Sequence, residues 1–505
     1  MNPIAAPKTL RYEPDAGLPV AIEAKSNRRY FYPTNGNTFG PKATNVIRMN
    51  LNANSFIDFS HSYLQFTVEN NNSAFEHVGL DHGVPFFNRL QIMSGGQELE
   101  DIQEYSRLYS ILTSIQGSRL TADEHSMTQN ARFADNAAAA VLGETNAQLT
   151  TALAAAGSTT GTIIKAAIDG AVASRTGEGA SYRHNIEGQL QQTGKLTYNI
   201  PILSAFFNID KYFPLLLTEQ GLDLYFYLED AQNVGVWSAN AANTHDYQIT
   251  DVKYVAHEVN LDDAFVNQMK ASMQATGGVL SLSSTTYKYN NVTGVGKLSI
   301  AAAENETLNI SCRVKSLKGM IVRPQAQAVN NRHSSYCIGT GQSAGITAAQ
   351  FRIGSVLYPQ SAMKFSNTNK GELFNEIRKC FGTIGSYAHG TSLNATTFKE
   401  MDKVDCQDDT VGTGTTRQSW VLAYDFETFA KSATESGINV ADRALPVSLE
   451  ITRGALADAS ATGRAGIERA AGGDLDANQT IRYDCFAMCD CIIYIDLMGK
   501  ITTRI

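Results

Sequence analysis

The stretch "FFNRLQIMSGGQELEDIQEYSRLYSILTSIQ", residues 86–116, sets the fold class, because its hydrophobic period changes part-way along. It opens with a strand signal, "FFNRLQIMS" (86–94), and breaks at Ser94-Gly95-Gly96-Gln97. From 98 to 116, Leu99, Ile102, Leu108, Leu112 and Ile115 recur at about helical spacing, with Asp101, Glu104 and Arg107 between them. That spacing predicts an amphipathic helix over 98–116. The same order returns later as the strand "QFRIGSVLYPQ" (350–360) and the helix "GELFNEIRKCFGTIG" (371–385). Leu373, Phe374, Ile377 and Phe381 share one face of that second helix. A further pair of strands keeps the parallel, "GLDLYFYLED" (221–230) against "LPVSLEITRG" (445–454). Leu90 and Leu224 lie 134 residues apart, Ile353 and Leu449 only 96. The excess is close to the length of a single low-complexity insertion, so the chain reads as one β-rich unit used twice.

Other strand signals fall into the same two sets. "NVIRMNL" (45–51), "SYLQFTV" (62–68), "GKLTYNIPI" (194–202) and "YQITDVKYVAHEVNL" (247–261) belong to the first. "TTYKYN" (285–290), "TLNISCRVKSLKGMIVR" (307–323), "SWVLAYDFE" (419–427) and "CIIYIDLMGKITTR" (491–504) belong to the second. Many short strands, long loops and few helices predict an antiparallel sandwich or jelly roll. Residues 1–43 hold six of the twelve prolines and read as an extended arm. The first unit is expected over 44–261. Its insertion, 134–181, is rich in Ala, Gly and Thr and has no aromatic residue. Such small side chains cannot bury enough area for a core, so a mobile surface excursion is expected there. "DDAFVNQMKASMQ" predicts a linker helix within 262–276, and the second unit is expected over 277–505.

With 505 residues the chain can bury a large core without disulfides or metal. Its charged fraction, 18%, is below the usual quarter, and its formal charge is −8. No stretch gathers the Lys and Arg that sequence-independent phosphate binding needs, so direct nucleic-acid binding is not expected. The first twenty residues lack the apolar core of a secretory signal, and no apolar run reaches the length of a membrane-spanning helix. Seven cysteines without paired spacing predict free thiols in a reducing compartment.

The succession of phrases is more specific than any one of them. In order they run "YFYPTNGNTFGPKATNVIRMNLNANSFIDFSHSYLQFTV", "FFNRLQIMSGGQELEDIQEYSRLYSIL", "IPILSAFFNIDKYFPLLLTEQGLDLYFYLEDAQNV", "FRIGSVLYPQ", "SGINVADRALPVSLEI" and "DCIIYIDLMGKI". Together they resemble the double-jelly-roll major capsid proteins of small tailless icosahedral DNA viruses, of the polinton-like virus and virophage type. The resemblance covers most of the chain but not the insertion at 134–181. It implies an all-β fold of two tandem eight-stranded antiparallel jelly rolls, with short helices in loops. It further implies homotrimers forming pseudo-hexagonal capsomers, neighbouring capsomers, penton and minor capsid proteins as partners, and in many such capsids a membrane beneath. The expected location is the virion capsid, assembled inside the infected host cell. A minor capsid or spike protein, or a carbohydrate-binding β-sandwich, is the alternative. The duplication argues against the first. Against the others, aromatic residues are spread through strands, and there are only two Trp.

No residues read as catalytic, cofactor-binding or metal-binding, and no enzyme activity is expected. The nine histidines are scattered, and none forms an HExxH pattern. His77 and His82, near Glu76 and Asp81, read as a solvated polar loop. "TGVGKLS" (293–299) lacks the Gly that a phosphate loop needs at Asn291 and the Ser or Thr it needs at Leu298, which excludes Lys297 as a phosphate ligand. Asp425, Glu427 and Glu450 are strand-end carboxylates that a glycosidase would need paired in a cleft. Cys485, Cys489 and Cys491 share strand parity with Ala487, Ile493, Ile495 and Leu497. In a strand, Cys485 and Cys489 stand about 13 Å apart, too far for one zinc ion. They are expected to pack as small core hydrophobes.

Overall fold

The structure, a computed structural model, describes residues 24–70, 77–78, 86–116, 195–209, 211–236, 246–275, 277–294, 304–326, 338, 346–365, 369–381, 393, 398, 420–427, 437–441, 445–453 and 481–505. The insertion expected at 134–181 lies outside them.

Sixteen principal strands make two equal sets. In the first roll they are β1 (Ala24–Phe31), β2 (Val46–Leu51), β3 (Phe56–Asn70), β4 (Phe87–Ser94), β5 (Gln97–Gln103), β6 (Lys195–Ile200), β7 (Leu222–Leu228) and β8 (Tyr247–Leu261). In the second they are β9 (Val279–Gly294), β10 (Glu304–Ile310), β11 (Leu317–Ala326), β12 (Ile346–Ile353), β13 (Val356–Lys364), β14 (Leu422–Asp425), β15 (Val447–Arg453) and β16 (Ile481–Asp496). The first roll stacks a sheet ordered β1-β8-β3-β6 on one ordered β2-β7-β4-β5. The second stacks β9-β16-β11-β14 on β10-β15-β12-β13, the same order moved along by eight strands. All pairings are antiparallel. The repeat read from the sequence therefore holds strand for strand: "RLQIMS" lies in β4 and "FRI" in β12, "LDLYFYL" is β7 and "VSLEITR" is β15. Short segments extend the edges, Thr38–Phe39 on β8, Phe213–Pro214 on β3 and Ile501–Arg504 on β16.

Alternation creates each core. Leu222, Leu224, Phe226 and Leu228 turn inward from β7, leaving Asp223, Tyr225 and Tyr227 half-buried on the other face. From β2, Ile47, Met49 and Leu51 meet the same core. Phe66, Phe86, Phe87 and Tyr198 pack edge-on and stacked at its centre, with centroids 5.1–6.1 Å apart. In the second roll Phe351, Tyr424 and Phe426 make the corresponding cluster.

Two expectations change. The helix expected over 98–116 begins only at Tyr105, and α1 runs Tyr105–Gln116. Residues 97–103 are instead β5, paired with β4. Gly95 and Gly96 have φ of 58° and 78°, which closes a two-residue hairpin. Leu99 and Ile102, three residues apart, fit a helical period, but the hairpin turn and pairing with β4 make the segment a strand. The first roll also starts before residue 44, because Ala24–Phe31 is β1. Its sequence shows no alternation because β1 is an edge strand exposed at residues 24–28. The linker helix is present as α3, Asp263–Ala275, after a single turn α2 at Ala231–Val234. The last helix, α4, runs Gly371–Phe381.

Candidate functional site

A buried network of charged and polar side chains lies where the rolls meet. α1 is buried without a break from Tyr105 to Leu112, so Arg107, which reads as a solvent-facing position in the sequence, has no solvent to face. Its Nη1 donates to Asp484 Oδ2 on β16 at 2.6 Å, and its Nε lies 3.0 Å from Glu104 Oε2. Arg482 Nε donates to Asp484 Oδ1 at 2.7 Å and its Nη2 lies 3.0 Å from Glu104 Oε1. The Tyr289 hydroxyl donates to Asp484 Oδ1 at 2.7 Å. Two guanidiniums and two carboxylates thus balance in charge across the junction. Burial alone pushes the Asp484 carboxyl up, but Arg107 and Arg482 outweigh it and hold it below the usual range. Glu104 is positioned by an unusual backbone, φ 50°, at the corner between β5 and α1.

A second junction contact sits deeper. Glu100 on β5 is buried, accepts from the Ala205 amide at 3.0 Å and accepts the Thr286 hydroxyl of β9. Among the described residues no cation forms an ion pair with it, and burial pushes its carboxyl up. Thr503 Oγ1 donates to Leu99 O at 2.8 Å, and the Glu219 amide donates to Gly499 O at 3.0 Å. The sequence offered no signal for these pairs, since every partner lies more than seventy residues away.

The residues weighed for chemistry do not converge. Glu427 lies 3.0 Å from Lys318 Nζ, and Asp425 accepts the Glu427 amide at 2.9 Å. Glu450 stands in the opposite sheet of the second roll, where it accepts from Arg352 Nε at 2.5 Å. His77 belongs to a two-residue bridge with Val236; His82 and Lys297 lie outside the described residues. Among the described residues no three His, Cys, Asp or Glu side chains group to hold a metal ion. Cys485, Cys489 and Cys491 are fully buried in β16 with Ala487, Ile493 and Ile495, and are free. Burial pushes the Cys491 thiol up to about 12 and raises those of Cys485 and Cys489 too. Leu497 departs from their set, because β16 ends at Asp496 and leaves it 51% exposed.

No family model and no curated protein matches the chain. Solved structures do. PBCV-1 VP54, as fitted into a reconstruction of the virophage Sputnik, matches with TM-score 0.55 and 9% identity over 96% of this chain and 97% of that one. The mavirus major capsid protein matches with TM-score 0.50 and 8% identity over 99% and 95%. The Faustovirus major capsid protein matches with TM-score 0.50 and 8% identity over 96% and 91%. The chain has the double jelly-roll fold. Near-complete coverage of both chains means that the likeness spans both rolls and not one sandwich alone. The Arg107–Asp484 pair is one of the contacts through which the two rolls of this chain meet.

Proposed function

We propose that the chain is a major capsid protein that builds trimeric, pseudo-hexagonal capsomers of an icosahedral DNA-virus shell, with a structural and not a catalytic role. The observation that carries this reading is the internal repeat: two rolls of identical strand order stand in one chain. Three such chains supply six similar units, which suits a near-sixfold position in a shell. The likeness to capsid folds over nearly the whole chain supports it. Penton and minor capsid proteins would complete the shell at other positions, over a membrane where one is enclosed. The formal charge of −8 suits a wall that does not bind the genome directly. Light scattering on purified native protein, with negative-stain micrographs, tests the reading. Particles of three chains with a near-hexagonal outline are expected; a stable monomer across a range of salt concentrations would refute it.

A further inference from the structure

Three neighbouring strands of the second roll, β16, β11 and β14, bring one amine and two carboxyls together. Lys318 Nζ on β11 lies 3.0 Å from Glu427 Oε1, just past β14, and 3.5 Å from Asp490 Oδ1 on β16. All three side chains are nearly out of water: Lys318 is 14% exposed, Glu427 13% and Asp490 4%. Charges so placed persist only where the geometry is good, and here it goes beyond what an ion pair needs.

Backbone bonds fix each group. The register shifts between Leu317 and Gly319, so Lys318 is a bulge residue whose side chain leaves the alternation of the ladder. The Phe426 amide donates to Lys318 O at 2.7 Å, which sets Glu427 beside the amine. The Asp490 amide donates to Ser316 O at 3.2 Å, which brings the second carboxyl alongside. Ser316 Oγ accepts from the Gly437 amide at 3.2 Å and turns its own proton to Asp490 Oδ2 at 2.6 Å. The two oxygens of Asp490 are thus unlike: Oδ2 is held by a hydroxyl, and Oδ1 faces the amine. Amide formation requires these same parts. They are an amine touching a carboxyl, a carboxylate to take its proton, and a donor on the oxygen where charge collects. Burial disfavours the ammonium, but Glu427 and Asp490 outweigh it and raise the lysine. The resting state is therefore the ion pair, and the reacting form is the one in which a proton has crossed to Asp490.

We propose that Lys318 and Asp490 condense into an isopeptide bond, with Glu427 as proton carrier, which braces β16 covalently to β11. One ammonium proton passes through Glu427 to Asp490 Oδ1. The freed Nζ lone pair adds to the carboxyl carbon, and Ser316 meets the charge that collects on Oδ2. Glu427 moves a second proton from nitrogen to Oδ1, the bond from carbon to Oδ1 breaks, and water leaves. The amide keeps the third proton. Ammonium and carboxylate become amide and water, and no further reactant is consumed. Lys318 and Asp490 are 172 positions apart, and a cross-link over a long loop restricts the unfolded chain. Such a brace is indifferent to redox conditions, whereas every cysteine among the described residues is free. It forms within one chain and does not rest on the capsomer reading.

Mass spectrometry of the denatured full-length chain is the test. The chain should weigh one water less than its sequence requires, and digestion should release a branched peptide joining the segments around Lys318 and Asp490. Lys318→Arg and Asp490→Ala should each restore the full mass. Glu427→Gln keeps the size of the side chain and should also stay at full mass while its circular dichroism matches wild type, which separates loss of the reaction from loss of the fold. A wild-type chain at full mass would overturn the bond. So would a chain one water light whose Lys318 and Asp490 peptides are linear, since cyclisation of another Asp gives the same mass. A branched peptide surviving in Glu427→Gln would overturn the role given to that residue.

Discussion

Asp484→Asn is the sharpest test of the junction. The substitution keeps the shape and removes one charge. Arg107 and Arg482 would then share Glu104 alone, leaving one uncompensated cation in a site where Asp484 is fully buried. Breaking a buried ion pair by removing one partner costs about 3–5 kcal/mol. Unfolding entropy of roughly 2 cal/mol/K per residue makes that about 3–5 °C if the whole chain unfolds as one unit, and about twice that for one roll alone. Scanning calorimetry at pH 7 measures it. The double variant Arg107→Leu/Asp484→Leu restores charge balance, with Arg482 facing Glu104, and should lose less than the two single variants summed. The acid limb gives an independent sign. The folded carboxyl titrates below its unfolded value, so its stabilisation is present above the unfolded pKa and is lost as pH falls through the folded one. The wild-type advantage over the Asn variant should therefore shrink below about pH 4. An Asn variant melting within about 1 °C of wild type at pH 7, or singles that add to the double, would refute the view that this network holds the rolls together.

Glu100→Gln should behave in the opposite way. Its carboxyl is raised by burial, so the folded state gains stability as pH falls from 7 through the raised pKa toward the unfolded value. The Gln variant should lose that rise while melting no lower than wild type at pH 7, and calorimetry between pH 4.5 and 7.5 reads both. Gly221→Ala should cost about 2 kcal/mol or more, because φ is +68° and an added Cβ would lie 2.2 Å from Leu51 O; a chemical denaturation midpoint equal to wild type would contradict this. Native protein treated with a thiol reagent at pH 8 should leave Cys485, Cys489 and Cys491 unmodified until denaturant is added, since all three are buried and their thiols raised. Mass spectrometry locates the label, and rapid native modification of any of the three would count against their core placement.

Several features were legible because they are local. The alternation in "LDLYFYL" places Leu222, Leu224 and Phe226 inward without reference to any other part of the chain. The parity of Cys485, Cys489 and Cys491 separated core packing from zinc binding by strand rise alone. Where two periods competed, at 97–103, the apolar spacing misled, because a hairpin turn and pairing with β4 decide that segment. β1 was missed for the converse reason: an edge strand exposed on both faces needs no alternation.

The sequence by itself determined most strands of the two sets, β1 and β5 apart, and their inward faces, since each follows from side-chain period along a few residues. Tertiary structure alone decided what the polar residues do. Arg107 and Asp484 are 377 positions apart, and nothing in either neighbourhood distinguishes a solvated charge from a buried one. Only the docking of one roll on the other removes their water and turns two ordinary charges into a buried pair between the rolls.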